Sequence, residues 1–197
     1  MLPDPAAQSV RMHDSGPLPR FAGGVVLRRL APSDLAAFQA YRHDPVVGQY
    51  QGWSAISDTE AAAFLSAMSA ARLLQTGRWS QIGIADVPSL DLIGDIGLLL
   101  APDGIDAEIG FTLMPKAQRR GLGTAAVREA INLVFQVTDA QRVFGKTDAR
   151  NLPSIRLLER VGMHRIGSST AISRGGTCFE HTYAISRQHD GWPGVDA

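Results

Sequence analysis

The stretch from Asp106 to Ala149 constrains the fold of this 197-residue chain more than any other. "DAEIGFTLM" (106–114) and "QRVFGKTDA" (141–149) both read as strands. Between them, Gly123–Val137 places Val127, Ile131 and Val134 on one face, with Ala130 and Phe135 beside it. Arg128, Glu129, Asn132 and Gln136 fall on the other face, so the segment predicts an amphipathic helix. Strand, helix and strand are therefore fixed in order. The junction is odd. Glycine is poor inside a helix, yet Gly121 and Gly123 stand at its mouth, directly after Arg119 and Arg120.

The flanking sequence extends this core on both sides. "VVLRRL" (25–30) reads as a strand, and a helix follows from Ser33 or Asp34, either of which can cap it, to His43. Residues 44–57 form a loop rich in turn residues, and Ser57 with Glu60 fits a capping box opening a second helix that runs to Leu74. Strands over 79–86 and 91–100 then lead into 106–114, which suggests an antiparallel meander. After the core, Pro153 and Gly162 bound a short helix, and 164–172 with 178–186 suggest a closing hairpin around Arg174, Gly175 and Gly176. Residues 1–20, with four prolines, and 188–197 read as tails of a single domain over 21–187. The expected class is α/β in the α+β sense.

Glycines at a helix mouth have a physical use. The first turn of a helix leaves N–H groups unpaired, and the helix dipole adds partial positive charge there. Without a Cβ in the way, those groups can converge on an anion, and Arg119 or Arg120 can add a charge-assisted contact. A pyrophosphate suits this arrangement. A plain turn is the rival reading. The nucleoside-triphosphate loop pattern is absent. "GLGTAA" does satisfy the dinucleotide pattern G-x-G-x-x-A, with Asp148 ending the next strand. Against that reading, "PKAQRR" separates the strand from Gly121, and a meander stands where repeated βαβ units should be.

Two motifs then act together. Gln118-Arg-Arg-Gly121-Leu-Gly123 matches [QR]-x-x-G-x-[GA], and "NLPSIRLLERVGM" (151–163) matches N-x-x-[SA]-x-x-L-x-x-x-G-[FM]. From about Glu108 to Gly162 the chain resembles the GNAT superfamily of acyl-CoA-dependent N-acetyltransferases. Within it, "AEIGFTLMPKAQRRGLGTAAVREA" is most similar to the ribosomal-protein alanine N-acetyltransferase (RimJ/RimL-type) branch, a likeness that covers about 21–187. The resemblance implies a mixed, mostly antiparallel sheet of six to seven strands with about four helices.

It also implies a site. Acetyl-CoA would lay its pyrophosphate on the backbone N–H groups of Arg119, Arg120, Gly121, Leu122, Gly123 and Thr124, next to Gln118. The pantetheine would lie along Phe111, Thr112 and Leu113, where the strand splays from its neighbour. Asn151 would bond the cofactor arm, a role compatible with capping the helix at Pro153. The position where many family members carry a tyrosine as general acid is Leu158 here, which leaves Ser154 as the candidate acid, or else as a plain first-turn serine. Glu108 is the candidate base, or a solvent-facing carboxylate on the strand. Tyr50 and Trp53 in the 44–57 loop, and His181 and Tyr183 on one face of the last strand, are candidate walls of the acceptor site.

The expected activity is transfer of an acetyl group from acetyl-CoA to a primary amine by direct attack in a ternary complex. The amine is either a protein N-terminus or a small molecule. Two other readings stand beside it: a non-catalytic acyl-CoA-binding module, motivated by Leu158, and a nucleotide-dependent oxidoreductase using "GLGTAA". A formal net charge of zero argues against nucleic acid and anionic membranes as partners. Cys178 alone allows no intrachain disulfide, and the chain shows no signal peptide or spanning helix, so the default compartment is cytoplasmic. No metal is expected, and dimers are common in similar proteins.

Overall fold

The computed structural model describes residues 16–173 and 176–187. Eight strands form one sheet: β1 (Arg20–Ala22), β2 (Val25–Arg29), β3 (Trp79–Asp86), β4 (Leu92–Leu100), β5 (Asp106–Leu113), β6 (Arg142–Asp148), β7 (His164–Ser173) and β8 (Gly176–Ser186). Their spatial order is β1-β2-β3-β4-β5-β6-β8-β7. Every pairing is antiparallel except β5 with β6. One parallel pair inside an antiparallel sheet is what the strand–helix–strand order demands, since parallel neighbours need a crossover. The crossover is α4 (Leu122–Val137).

The sheet has one strand more than expected, because the chain begins to pair at Arg20. Of the expected tail over 1–20, only 16–20 lies within the described residues. There Leu18 is buried and Arg20 is bonded to Glu129 and Gln136 of α4. The tail expected over 188–197, and Arg174 and Gly175 at the closing hairpin, lie outside the described residues.

Two helical layers cover the sheet. α1 (Leu35–Arg42) and α3 (Asp58–Ala70) pack on one face, and α4 and α5 (Leu152–Arg160) on the other. Side chains of β5 alternate between these layers. A Cβ at Gly123 of α4 would lie 3.6 Å from the Leu113 side chain, so odd-numbered β5 residues face α4. Thr112 pairs in register with Asp95 of β4, whose carboxylate bonds Tyr41 and Arg42 of α1. Even-numbered β5 residues, Glu108 and Gly110 included, therefore face the α1 side.

The helix boundaries have local causes. Ser57 accepts from the Glu60 N–H and Glu60 accepts from the Ser57 N–H, the capping box the sequence suggests. α3 stops four residues before Leu74, where Arg29 donates to the carbonyls of Ser69 (3.3 Å) and Ala71 (2.7 Å). Leu74 then turns into the core with φ 55°. Residues 45–48, expected as loop, form a single turn, α2 (Pro45–Gly48). Its signal is legible in hindsight: Asp44 caps Val46 N at 2.8 Å and Pro45 takes the first helical position.

Candidate active site

β5 and β6 pair at only three positions, Asp106 with Arg142, Ala107 with Val143 and Glu108 with Phe144, and then part. On its other side β5 stays paired with β4 as far as Leu113. The N–H and C=O groups of alternate residues along a strand point to opposite neighbours. Met114 N bonds Ile93 O on β4, which assigns the even-numbered residues to that side. The carbonyls of Phe111 and Leu113 instead accept from side chains, Gln51 Nε2 at 3.2 Å and Gln118 Nε2 at 2.9 Å. The free edge of β5 is thus made by Ile109, Phe111 and Leu113. Thr112, expected on that edge, is buried with its backbone toward β4.

The gap is lined by Tyr50 and Gln51 from the loop before α3, Ile109–Phe111 of β5, Gly145–Thr147 of β6, and Asn151, Ser154 and Leu158. Gly110 opens the floor on the α1 side, where a Cβ would meet nothing within 4 Å. Asn151 caps α5 by accepting from Ser154 N at 3.3 Å through Oδ1. That leaves the Nδ2 donor pointing from a lining residue. Leu158, one turn beyond Ser154, is 1% exposed and closes the apolar end of the gap.

α4 opens at the deep end of β5. Its first turn has no side-chain cap, so the N–H groups of Leu122, Gly123 and Thr124 have no acceptor within the helix. The two glycines do different things. Gly121 is left-handed (φ 80°) with open space where a Cβ would stand. Gly123 is a packing residue, because a Cβ there would lie 3.0 Å from Leu157 Cδ1. Arg119 is also left-handed (φ 62°), an uncommon state for a residue with a side chain. Arg119 and Arg120 are exposed, and Arg120 lies 3.7 Å from Asp86. Thr124 is half-buried in the first turn.

Glu108 sits on the last paired rung, where the gap begins. Its carboxyl is raised above the ordinary range, chiefly by burial. Lys146, with Nζ 3.8 Å away, pulls it back, and Glu180 pushes it up further. Nearby, the Arg150 guanidinium bonds both oxygens of Asp148 and holds that carboxyl at about 2, against the effect of burial. The Arg150 guanidinium lies 5.9 Å from the Tyr50 ring.

Three candidates fall elsewhere. Trp53 is half-buried and stacks on the Arg42 guanidinium at 4.2 Å, as part of a small cluster under the loop. Tyr183 is buried on the opposite face of the sheet from Glu108, its hydroxyl donating to Glu159 of α5 at 3.4 Å. His181 shares that face by alternation and meets Ser168 Oγ at 2.8 Å. The two do share a face, as expected, and it is the face opposite Glu108. Sequence reasoning missed Gln51, Gly110 and Lys146.

A roomier hollow of about 520 Å³ lies at the far edge of the sheet, between residues 16–21 and Val26, Arg28, Arg29 and Leu90. It meets no helix mouth, and Arg28 within it is already paired with Asp34 at 2.7 and 2.8 Å. The gap between β5 and β6 is the chemically equipped site. Among the described residues no group of three or more His, Cys, Asp or Glu could hold a metal ion, and no helix is long and apolar enough to cross a membrane.

Known proteins share this architecture. The family model for the acetyltransferase (GNAT) domain matches residues 25–164. The uncharacterised N-acetyltransferase YoaA of Bacillus subtilis is 28% identical over 144 residues, which are 73% of this chain and 81% of that protein. A GNAT-family acetyltransferase structure from Bacillus anthracis superposes with a TM-score of 0.76 at 20% identity, covering 86% of this chain and 98% of that one. RimL, a ribosomal L7/L12 alpha-N-protein acetyltransferase solved with coenzyme A, superposes at 0.73 with 18% identity, covering 85% and 96%. With an uncapped helix mouth beside a parted strand pair, and a domain match over most of its length, this chain belongs to the GNAT acetyltransferase family.

Proposed function

We propose that the protein is an N-acetyltransferase that binds acetyl-CoA in the gap between β5 and β6 and acetylates a primary amine. The observation that carries this reading is the parting of the two strands after Glu108, with α4 opening beside the freed edge. The residues present fit the cofactor. The uncapped N–H groups at 122–124, with left-handed Gly121 and Arg119, suit a pyrophosphate. The backbone groups of Phe111 and Leu113 suit the amides of pantetheine, and Asn151 Nδ2 suits a carbonyl on the same arm.

Bound there, acetyl-CoA supplies an activated acyl thioester. The chain supplies the rest. Glu108, on the α1 side at the mouth of the gap, takes the proton from the attacking amine, directly or through water. The backbone N–H groups on the β5 edge offer donors to the acyl oxygen. Ser154, which lines the gap from α5, takes the role of returning a proton to the leaving thiolate in this reading, the tyrosine position holding Leu158. The acceptor enters past Tyr50, Gly110 and Lys146.

The likeness to RimL supports the fold, and the sequence motifs support the RimJ/RimL-type branch. The acceptor is therefore an N-terminal peptide or a small amine. A dinucleotide reading gains nothing from a sheet with a single parallel pair. Calorimetric titration with acetyl-CoA tests the donor. Thiol release across a panel of N-terminal peptides and small amines tests the acceptor. Absence of acetyl-CoA binding at millimolar concentration overturns the reading. Binding with no thiol release from any amine turns it into the non-catalytic module.

A further inference from the structure

On the free edge of β5 the carbonyls of Phe111 and Leu113 are each held by the primary amide of a glutamine. Gln118 Nε2 bonds Leu113 O at 2.9 Å from five residues away, and Gln51 Nε2 bonds Phe111 O at 3.2 Å from sixty residues away. A strand edge cannot leave such groups without partners. A side-chain amide N–H is also the same donor chemistry that an amide of an extended ligand would bring to that edge. Gln118 reaches Leu113 from an exposed position beside the α4 mouth. Gln51 is different, because it is itself one of the residues lining the gap. A ligand arm bonded along the edge and the Gln51 carboxamide therefore need the same carbonyl and the same space.

We propose that Gln51 is an exchangeable plug for the Phe111 carbonyl, displaced when the pantetheine arm enters, and that the acceptor wall is completed by this displacement. The inference rests on the acetyl-CoA reading above. The surroundings of Gln51 make the exchange local. Its loop is pinned on one side by Trp53, whose ring lies 4.2 Å from the Arg42 guanidinium and packs against Gly48. Further along the loop, Ile56 O accepts from Gln39 Nε2 at 2.9 Å. The Gln51–Phe111 bond ties the loop directly to the edge of β5. Released, the Gln51 amide stays beside Tyr50 and above Gly110, on the side where the amine must approach. Donor binding and acceptor recognition are coupled through one side chain.

The test is affinity, with two ligands. Gln51→Ala and Gln51→Met both remove the competing donor. Each is expected to bind acetyl-CoA about three- to tenfold more tightly than the unmodified protein, the scale of one net hydrogen bond. 3′-Phosphoadenosine 5′-diphosphate, the nucleotide of coenzyme A without its pantetheine arm, does not reach Phe111, and its affinity is expected to be unchanged. A side chain that merely shaped the loop would weaken acetyl-CoA binding when lost. Unchanged or weaker acetyl-CoA binding in the variants overturns the proposal and leaves the donor reading intact. Equal shifts for both ligands also overturn it, because the effect then lies away from Phe111. An unmodified protein that binds no acetyl-CoA removes the donor reading and the plug together.

Discussion

At the scale of single residues, the site is an arrangement of opposed influences on a few groups. Glu108 is pushed up by burial and by Glu180, and pulled down by Lys146. A base works in its ionised form, and a raised carboxyl reaches that form only as pH climbs through its shifted value. kcat/KM is therefore expected to rise with pH along a limb set by Glu108. Lys146→Met removes the downward pull, so that limb should move to higher pH. A limb that stays in place in this variant removes Glu108 as its origin. Glu108→Gln should cut kcat by about 100-fold or more while leaving the calorimetric affinity for acetyl-CoA nearly unchanged. The two glycines make a second pair of expectations. Gly121 is left-handed, so Gly121→Ala should cost about 1–2 kcal/mol in urea unfolding. Gly123 is helical, and an added Cβ would crowd only the flexible end of Leu157 at 3.0 Å, with Leu113 at an ordinary 3.6 Å, so Gly123→Ala should cost less, offset by alanine's better helix propensity. Equal costs at the two positions would contradict their separate roles.

At the scale of elements, each helix that touches the gap also holds one of its functional groups. α5 does so through Asn151, whose Oδ1 caps the helix and whose Nδ2 stays in the pocket lining. The two uses can be separated. Asn151→Asp keeps a cap, and a carboxylate there suits the helix dipole, so stability should hold while acetyl-CoA affinity falls. Asn151→Ala should lose about 1 kcal/mol of stability as well. If Asn151→Asp binds acetyl-CoA as well as the unmodified protein, Asn151 is a cap and nothing more. Much of this level is readable in the sequence. The apolar stripe of α4, the capping box at Ser57 and the Pro153–Gly162 bounds of α5 all appear where periodicity and cap chemistry put them. The turn Pro45–Gly48 was equally encoded in Asp44–Pro45 but is easily absorbed into a loop. The parting of β5 from β6 leaves no trace in periodicity or cap chemistry, because an unpaired backbone group has no composition, and is expected only through the family resemblance. The Gln51–Phe111 bond leaves no such trace either, since it joins residues sixty positions apart in the chain through one amide. Alternation says that His181 and Tyr183 share a face, but only the packing of α5 says which face that is.

At the scale of the whole molecule, the loop before α3 is tied to the centre of the sheet through a buried charge. Asp95, 1% exposed on β4, accepts from Tyr41 (2.5 Å), Arg42 (2.8 Å) and Gln81 (2.9 Å). Burial and this carboxylate hold the Tyr41 phenol well above its ordinary range, so it stays a donor. Arg42 in turn lies under Trp53 and beside Phe38, at 4.2 and 4.7 Å from their rings. One chain of contacts thus runs from β4, through α1, to the loop whose Gln51 reaches β5. No sequence pattern marks it, since Asp95 lies 53 positions from Arg42 and Arg42 lies eleven from Trp53, and each looks ordinary alone. Removing one partner of a buried pair strands the other charge. Asp95→Asn should therefore cost about 3–5 kcal/mol. Replacing the pair by apolar side chains avoids the stranded charge, so Arg42→Met combined with Asp95→Leu should recover much of that loss. The double variant should nevertheless lose the cation under Trp53, and with it the fixed position of the loop. Urea unfolding and amide hydrogen exchange over residues 49–56 separate the two effects: stability regained, with faster exchange confined to the loop. Loop exchange as slow as in the unmodified protein would mean that the buried pair holds the fold together without positioning the acceptor wall.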